Sequence, residues 1–213
     1  MPHVVLLGDS IFDNAAYVEV GGAVIDQLRQ RLPTGWQATL LARDGSVVLD
    51  VGRQLAYVPS DATHLIISCG GNDALGQVGL LQQPVSTVFG ALQHLVAMQS
   101  VFAADYRWMM QRASAQKAAL AVCTIYDAMP RLEQEVRAAL ALFNDVISRA
   151  AVESAVPILD LRVLCNEVND YAPISPIEPS RQGSEKIAEA ICSWLAPQSP
   201  SVTTVHVFGG LVK

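Results

Sequence analysis

The sequence predicts an α/β fold, a three-layer α/β/α sandwich with a five-stranded parallel sheet. Five short apolar runs, without internal polar breaks, alternate with longer segments of helical periodicity; the runs cover residues 3–7, 37–42, 64–68, 118–124 and 156–159. Uninterrupted runs are typical of strands that helices cover on both faces. Regular alternation of strand and helix favours parallel pairing with right-handed crossovers.

The intervening segments show apolar residues at helical spacing. Four such stripes are present: Val20, Val24, Leu28 and Leu32, ending at Pro33; Val88, Leu92, Leu95, Phe102, Tyr106 and Met109; Leu132, Val136, Leu140, Phe143 and Ile147; and Ile187, Ile191 and Leu195. Ser180 is suited to cap the last helix. We interpret residues 101–110, rich in aromatic side chains and methionine, as core or as a dimer face.

Composition excludes several classes of function. The 213 residues are 51% hydrophobic and 16% charged, with a formal net charge of −6. This balance does not favour DNA, RNA or an anionic membrane surface as a partner, and no apolar run is long enough for a spanning helix. The four scattered cysteines fit buried thiols of a reduced compartment. Since the start of the chain lacks a leader pattern, we expect a cytoplasmic protein.

Small and polar residues follow each of the first four predicted strands, where α/β folds bind their ligands. Gly8, Asp9 and Ser10 follow the first strand, Arg43 to Ser46 the second, Gly70 to Asp73 the third, and Tyr126 the fourth. One hydroxyl nucleophile, one side-chain amide and exposed backbone therefore converge at one edge of the sheet.

Four of the sequence blocks resemble those of the SGNH (GDSL-type) hydrolase family, in the family's order. They are Gly8-Asp9-Ser10, the isolated Gly45, Gly70-Gly71-Asn72-Asp73, and Pro179-Ser180-Arg181-Gln182-Gly183. The resemblance implies a flavodoxin-like sheet of order 2-1-3-4-5 within a domain of residues 1–196, followed by a tail, 197–213. It implies Ser10 as nucleophile of an esterase or lipase. The N–H groups of Ser10 and Gly45 and the Asn72 amide would stabilise the oxyanion.

The sequence departs from the family where the catalytic histidine and its aspartate would stand, since Glu178 and Ser175 occupy those positions. Three interpretations stay open at this point. Glu178 is itself the base, which would give a slow enzyme favouring mildly acidic pH. Alternatively, a histidine comes from elsewhere, with His206 of the tail better placed than His3, His64 or His94. In the third, the protein is inactive and binds a small ligand or acts as a scaffold.

The expected substrate is a small-molecule carboxylic ester, with an acyl or acetyl group on a small alcohol, a sugar or a lipid headgroup. Arg43, Tyr17 and Tyr126 are candidate substrate-binding residues beside Ser10. No glycine-rich phosphate loop or metal-ligand cluster appears, so we expect no cofactor and no metal. We expect neither nucleic acid nor membrane insertion, and leave a homodimer open.

Overall fold

The computed structural model describes residues 1–196, so the predicted tail and His206 lie outside the described residues. The central sheet contains β1 (His3–Gly8), β2 (Gln37–Leu40), β3 (His64–Ser68), β4 (Ala119–Cys123) and β5 (Ile158–Leu159). All neighbours are parallel, in the order β2-β1-β3-β4-β5. The predicted fold class and strand order are confirmed. Both edge strands are shorter than predicted, since β2 ends at Leu40 rather than Ala42 and β5 begins at Ile158 rather than Val156.

Helices cover both faces of the sheet. They are α1 (Val24–Arg31), α2 (Val48–Gln54), α3 (Gly71–Leu75), α4 (Val88–Ser114), α5 (Gln134–Glu153), α6 (Leu161–Leu164) and α7 (Arg181–Leu195). Val5 and Leu7 of β1 pack with α2, α4 and α5, whereas Val4 and Leu6 pack with α1 and α7. This alternation is the period-2 pattern of a strand buried on both faces.

The long helix α4 is buried only in its C-terminal part. Phe102, Tyr106 and Met109 belong to the core, in agreement with the predicted core role of this segment. Its first turns instead expose apolar side chains, with Val88 80% and Phe89 71% accessible. Within residues 1–196, no helix is both long and apolar enough to cross a bilayer.

Three short helices and a pair of strands were not predicted from the sequence. They are the short helices α2, α3 and α6, and an antiparallel hairpin of β6 (Tyr171–Ala172) and β7 (Ser175–Pro179). The hairpin leads into α7, whose first turn is capped by the Ser180 hydroxyl accepting from the Gly183 N–H at 3.2 Å. Glu178 therefore lies on an ordered strand immediately before a helix.

Candidate active site

The segment after β1 presents Ser10 at the carboxyl edge of the sheet. Gly8 has a φ of +128°, and a Cβ there would lie 1.7 Å from the Ser68 carbonyl oxygen, so only glycine fits. The turn that follows is closed by Asp9, whose Oδ1 accepts from the Ile11 N–H at 3.1 Å. Its backbone carbonyl accepts from Phe12 as well, at 3.2 Å. Ser10 is thus held in a tight turn and is 7% exposed.

Gln54 of α2 fixes the end of β1 from the neighbouring layer. Its Oε1 accepts from the Gly8 N–H at 2.7 Å, and its Nε2 donates to the Gly8 carbonyl at 2.8 Å. The same Nε2 lies 3.3 Å from the Ser46 hydroxyl. Gln54 therefore joins the loops after β1 and β2, a role that sequence analysis missed because nothing local to residue 54 indicates it.

Asn72 and Asp73 of α3 bind the loop that follows β2. The Asn72 Nδ2 donates to the Ser46 carbonyl at 2.9 Å, and Asp73 Oδ2 accepts from the Val48 N–H at 3.1 Å. A primary amide has two N–H donors, so the bond to Ser46 leaves Asn72 one further hydrogen to donate.

The position of Glu178 is set by hydrogen bonds to the residues on either side of it. The Tyr126 hydroxyl donates to the Ile177 carbonyl at 2.6 Å, and the Asn14 amide donates to the Pro179 carbonyl at 3.0 Å. Asn14 is fully buried, and its amide also reaches the Ser184 hydroxyl at 2.9 Å. The sequence gives no sign that Asn14 supports a strand 165 residues away.

Burial gives Glu178 an unusual proton affinity. The residue is 4% exposed, and Oε2 has no hydrogen-bond partner among residues 1–196. Desolvation raises the pKa of Glu178 from 4.5 to about 7. The nearby Ser10 hydroxyl lowers this pKa and the Asp44 carboxylate raises it, both by less than desolvation does.

Two further carboxyl groups lie close to the serine. Burial is the main cause that raises the pKa of Asp9 to about 8, and the charge of Glu178 adds to it. Burial likewise raises the pKa of Asp73 to about 6. Asp9 therefore keeps its proton at pH 7 and is uncharged. Negative charge near Ser10 then comes from the other carboxyl groups there.

A cavity of about 260 Å³ contains Ser10, Asn72, Glu178 and Tyr126 in its lining. Ser10 comes from the loop after β1, Asn72 from α3, and Glu178 from β7. The Tyr126 hydroxyl donates its hydrogen to the Ile177 carbonyl, so that hydrogen is not free to bind a ligand in the cavity.

The other predicted site residues lie elsewhere. Gly45 and Arg43 line a second, more open hollow of about 560 Å³, which Ser46 also lines. Gly45 has a φ of +76° and open space where a Cβ would stand. Tyr17 lines neither cavity, and its hydroxyl donates to Asp44 Oδ2 at 2.6 Å. The roles of Gly45, Arg43 and Tyr17 remain predictions.

None of the described histidines lines the cavity of Ser10. His3 begins β1, and its ring bonds Asp61 and Thr39 at 3.0 and 2.8 Å. His64 begins β3 and lies between the rings of Trp36 and Trp194. Within residues 1–196, no group of three or more histidine, cysteine or acidic residues is placed to hold a metal ion.

Comparisons with solved structures give the same fold. The chain is similar to an extracellular lipase from Streptomyces rimosus, with a TM-score of 0.66 and 17% identity over 91% of this chain and 99% of that one. For the psychrotrophic esterase EstA from Pseudoalteromonas the values are 0.63 and 15%, over 91% and 98%. For a variant of an acetyl xylan esterase from Geobacillus stearothermophilus they are 0.67 and 16%, over 90% and 93%.

Comparison with known sequences gives one negative and one positive result. No curated protein matches the chain significantly. The sequence model of a family described as GDSL-like lipase/acylhydrolase matches residues 6–186, which include all the loops around Ser10.

Proposed function

We propose that this chain, which belongs to the GDSL-like lipase/acylhydrolase family, hydrolyses carboxylic esters with Ser10 as nucleophile and Glu178 as base. One observation carries the proposal: Ser10, Asn72 and Glu178, from a loop, a helix and a strand, line the same cavity. Packing alone does not require a hydroxyl, an amide and a carboxyl group with one unpartnered oxygen to meet there.

The reaction would proceed through an acyl-enzyme. The Ser10 oxygen attacks the ester carbonyl while its proton passes to Glu178, and the carbonyl oxygen becomes an oxyanion. The Ser10 N–H and the free Asn72 N–H would donate to that oxyanion, since both residues line the cavity; Gly45, the third donor that the resemblance implies, lines the neighbouring hollow instead. The leaving alcohol takes the proton from Glu178. Water then attacks the acyl-enzyme and gives a proton to Glu178. The Ser10 oxygen leaves with that proton, and the carboxylic acid is released.

The raised pKa supports Glu178 in this role. An ordinary glutamate, with a pKa of about 4.3, is a much weaker base than histidine, at about 6.5. Burial brings the pKa of Glu178 to about 7, close to the value that favours proton transfer at neutral pH. On this basis we expect a rate that rises through neutral pH, in place of the mildly acidic optimum expected from the sequence.

A second candidate is a ligand-binding protein without catalysis. The observation that favours it concerns the orientation of Glu178, because no described residue holds its Oε2 as an aspartate would hold a catalytic histidine. The cavity would then bind its ligand reversibly.

The deciding experiment compares wild type with Ser10→Ala and with Ser154→Ala, a matched change at an exposed serine that ends α5. We expect p-nitrophenyl butyrate hydrolysis by wild type and Ser154→Ala only. A fluorophosphonate should add one label, at Ser10, as read by peptide mass. Equal rates in all three proteins and no label would exclude the hydrolase and leave the binding protein.

A further inference from the structure

The first turns of α4 present an apolar face to solvent. Val88, Leu92 and Val96 follow one another at four-residue intervals, and Phe89 lies beside them. With about 3.6 residues per turn, these four side chains together span about 100° of the helix surface, the width of a helix face that packs against a partner. Their exposed fractions lie between 52% and 80%. We call this face the α4 stripe.

The same face of α4 belongs to the core further along the helix. Met110 stands about five full turns after Leu92, so the two side chains lie on one face. Met110 is buried in the core, as is Tyr106, which stands in the same relation to Val88. Packing against α5 includes Gln99, whose Nε2 donates to a backbone carbonyl of α5 at 3.2 Å. The fold of residues 1–196 therefore buries the second half of this face and leaves the α4 stripe exposed to solvent.

The α4 stripe lies in a segment without acidic or basic side chains. No Asp, Glu, Lys or Arg occurs between residues 74 and 104, although the whole chain has a net charge of −6. The polar side chains exposed beside the stripe include the amides Gln83 and Gln93. Charged residues are depleted at the centre of protein–protein interfaces, and the rim is polar. Two copies of this acidic chain could meet here without placing like charges opposite each other.

A second copy of the chain suits the α4 stripe better than a lipid surface does. Helices that lie on lipid carry Lys or Arg on their polar face, and this segment has none. A specific interface buries at least about 1,000 Å² in total, or about 500 Å² from each partner. The α4 stripe, the exposed Leu81 and Val85 before it, and the glutamines around it supply an area of that order, at roughly 100 Å² for each apolar side chain.

We infer that the α4 stripe is the interface of a homodimer, in which the stripe of one chain packs against the stripe of the other. A twofold axis makes such an interface self-complementary, so each residue of the stripe is buried twice in the dimer. Leu92 is the middle residue of the stripe, so the axis lies near it and brings its two copies together. The inference does not depend on the activity of the site at Ser10.

The first test is sedimentation equilibrium of the full chain at micromolar concentration, which should show a species of twice the mass of one chain. Leu92→Glu places an unpaired charge at two positions of each interface and should raise the dissociation constant at least about 100-fold. Val163→Glu is the matched control, because Val163 is an exposed apolar residue on α6, outside the stripe. This variant should dimerise as wild type does.

A pair of opposite charges tests whether the two stripes face each other. Leu92→Lys alone should be a monomer, like Leu92→Glu. An equimolar mixture of the two variants should form a dimer that contains one chain of each, because the opposite charges then meet across the axis. Circular dichroism checks that both variants keep the wild-type fold. If one of them does not fold, Phe89→Glu changes the same stripe at a more exposed residue.

Three results would overturn the inference. The first is a wild-type chain that stays monomeric at its highest soluble concentration; co-sedimentation of this monomer with phosphatidylcholine vesicles, lost in Leu92→Glu, would then assign the α4 stripe to a lipid surface. The second is a dimer that Leu92→Glu does not weaken, which would place the interface elsewhere. The third is dissociation of both charged variants without association of their mixture, which would show that the two stripes do not meet.

Discussion

Replacement of Glu178 by glutamine tests the base directly, because the amide keeps the shape of the carboxyl group and cannot accept the serine proton. Positioned general bases contribute about 10²- to 10⁴-fold to rate, so Glu178→Gln should lower kcat/KM for p-nitrophenyl butyrate by at least about 100-fold. Glu189→Gln is the matched control, since Glu189 is exposed on α7.

The pH profile of wild type adds a quantitative test. Desolvation raises the pKa of Glu178 to about 7, and only the ionised carboxylate accepts a proton. The Glu178 carboxyl group is then ionised in half of the molecules at pH 7 and in about 1% of them at pH 5. The value of kcat/KM should therefore be about fiftyfold lower at pH 5 than at pH 7. An ordinary glutamate would give nearly the same rate at both values.

The assay is the initial rate of ester hydrolysis between pH 4.5 and 7.5, with the free energy of unfolding checked at each pH. Glu178→His should recover part of the activity lost in Glu178→Gln, because a neutral imidazole also accepts a proton. A flat profile between pH 5 and 7, together with full activity of Glu178→Gln, would refute the argument that the buried carboxylate is the base.

Three further predictions concern stability and the oxyanion. Asp9 is buried, with a pKa raised to about 8. It therefore resists ionisation only in the folded state and lowers stability by up to about 1.4 kcal/mol per pH unit between about pH 4 and 8. The free energy of unfolding, measured in urea at pH 5 and at pH 8, should fall less between these two pH values for Asp9→Asn than for wild type. An equal fall in both proteins would contradict this. Asn72→Ala should lower kcat about 10²- to 10³-fold and still take the fluorophosphonate label at Ser10, whereas unchanged turnover would exclude Asn72 from the oxyanion site. Asn14 is fully buried and bonds Pro179, Ser184 and Val24, so Asn14→Ala should cost at least about 2 kcal/mol in chemical denaturation. Asn169→Ala, at an exposed residue, should cost little, and a similarly small loss for Asn14→Ala would refute its supporting role.

The fold could be predicted where its signals are local. Apolar runs identified all five strands of the main sheet, and helical spacing identified α1, α4, α5 and α7. Two of the predicted stripes began too early, at Val20 and Leu132, because α1 begins at Val24 and α5 at Gln134. The hydroxyl of Ser180 indicated the start of α7 correctly. The short helices α2, α3 and α6 have too few residues to show a period. Tertiary contacts stabilise them, as the bonds of Gln54 to Gly8 do for α2.

The residues that meet at the candidate site could be predicted from the sequence, but their pKa values could not. The order of the motifs brought Ser10 and Asn72 together, because loops after parallel strands meet at one edge of the sheet. The pKa of Glu178 could not be predicted from the sequence, because desolvation would raise it and the N-terminus of the following helix, α7, would lower it. The balance depends on residues far along the chain, and burial is the largest of the causes that shift the pKa of Glu178.

The proton affinities of Asp9 and Glu178 together define how the site would become active. Both carboxyl groups are buried, and each ionised group would raise the cost of ionising the other. Asp9, with a pKa of about 8, keeps its proton longer than Glu178, with a pKa of about 7. As pH rises, the first charge of this pair therefore forms on the carboxylate that interacts with Ser10. Asp9→Asn keeps this group uncharged at every pH, so the rise of kcat/KM between pH 5 and 7 should stay where it is in wild type. A shift of that rise to lower pH would show that Asp9 already carries charge there and raises the pKa of Glu178.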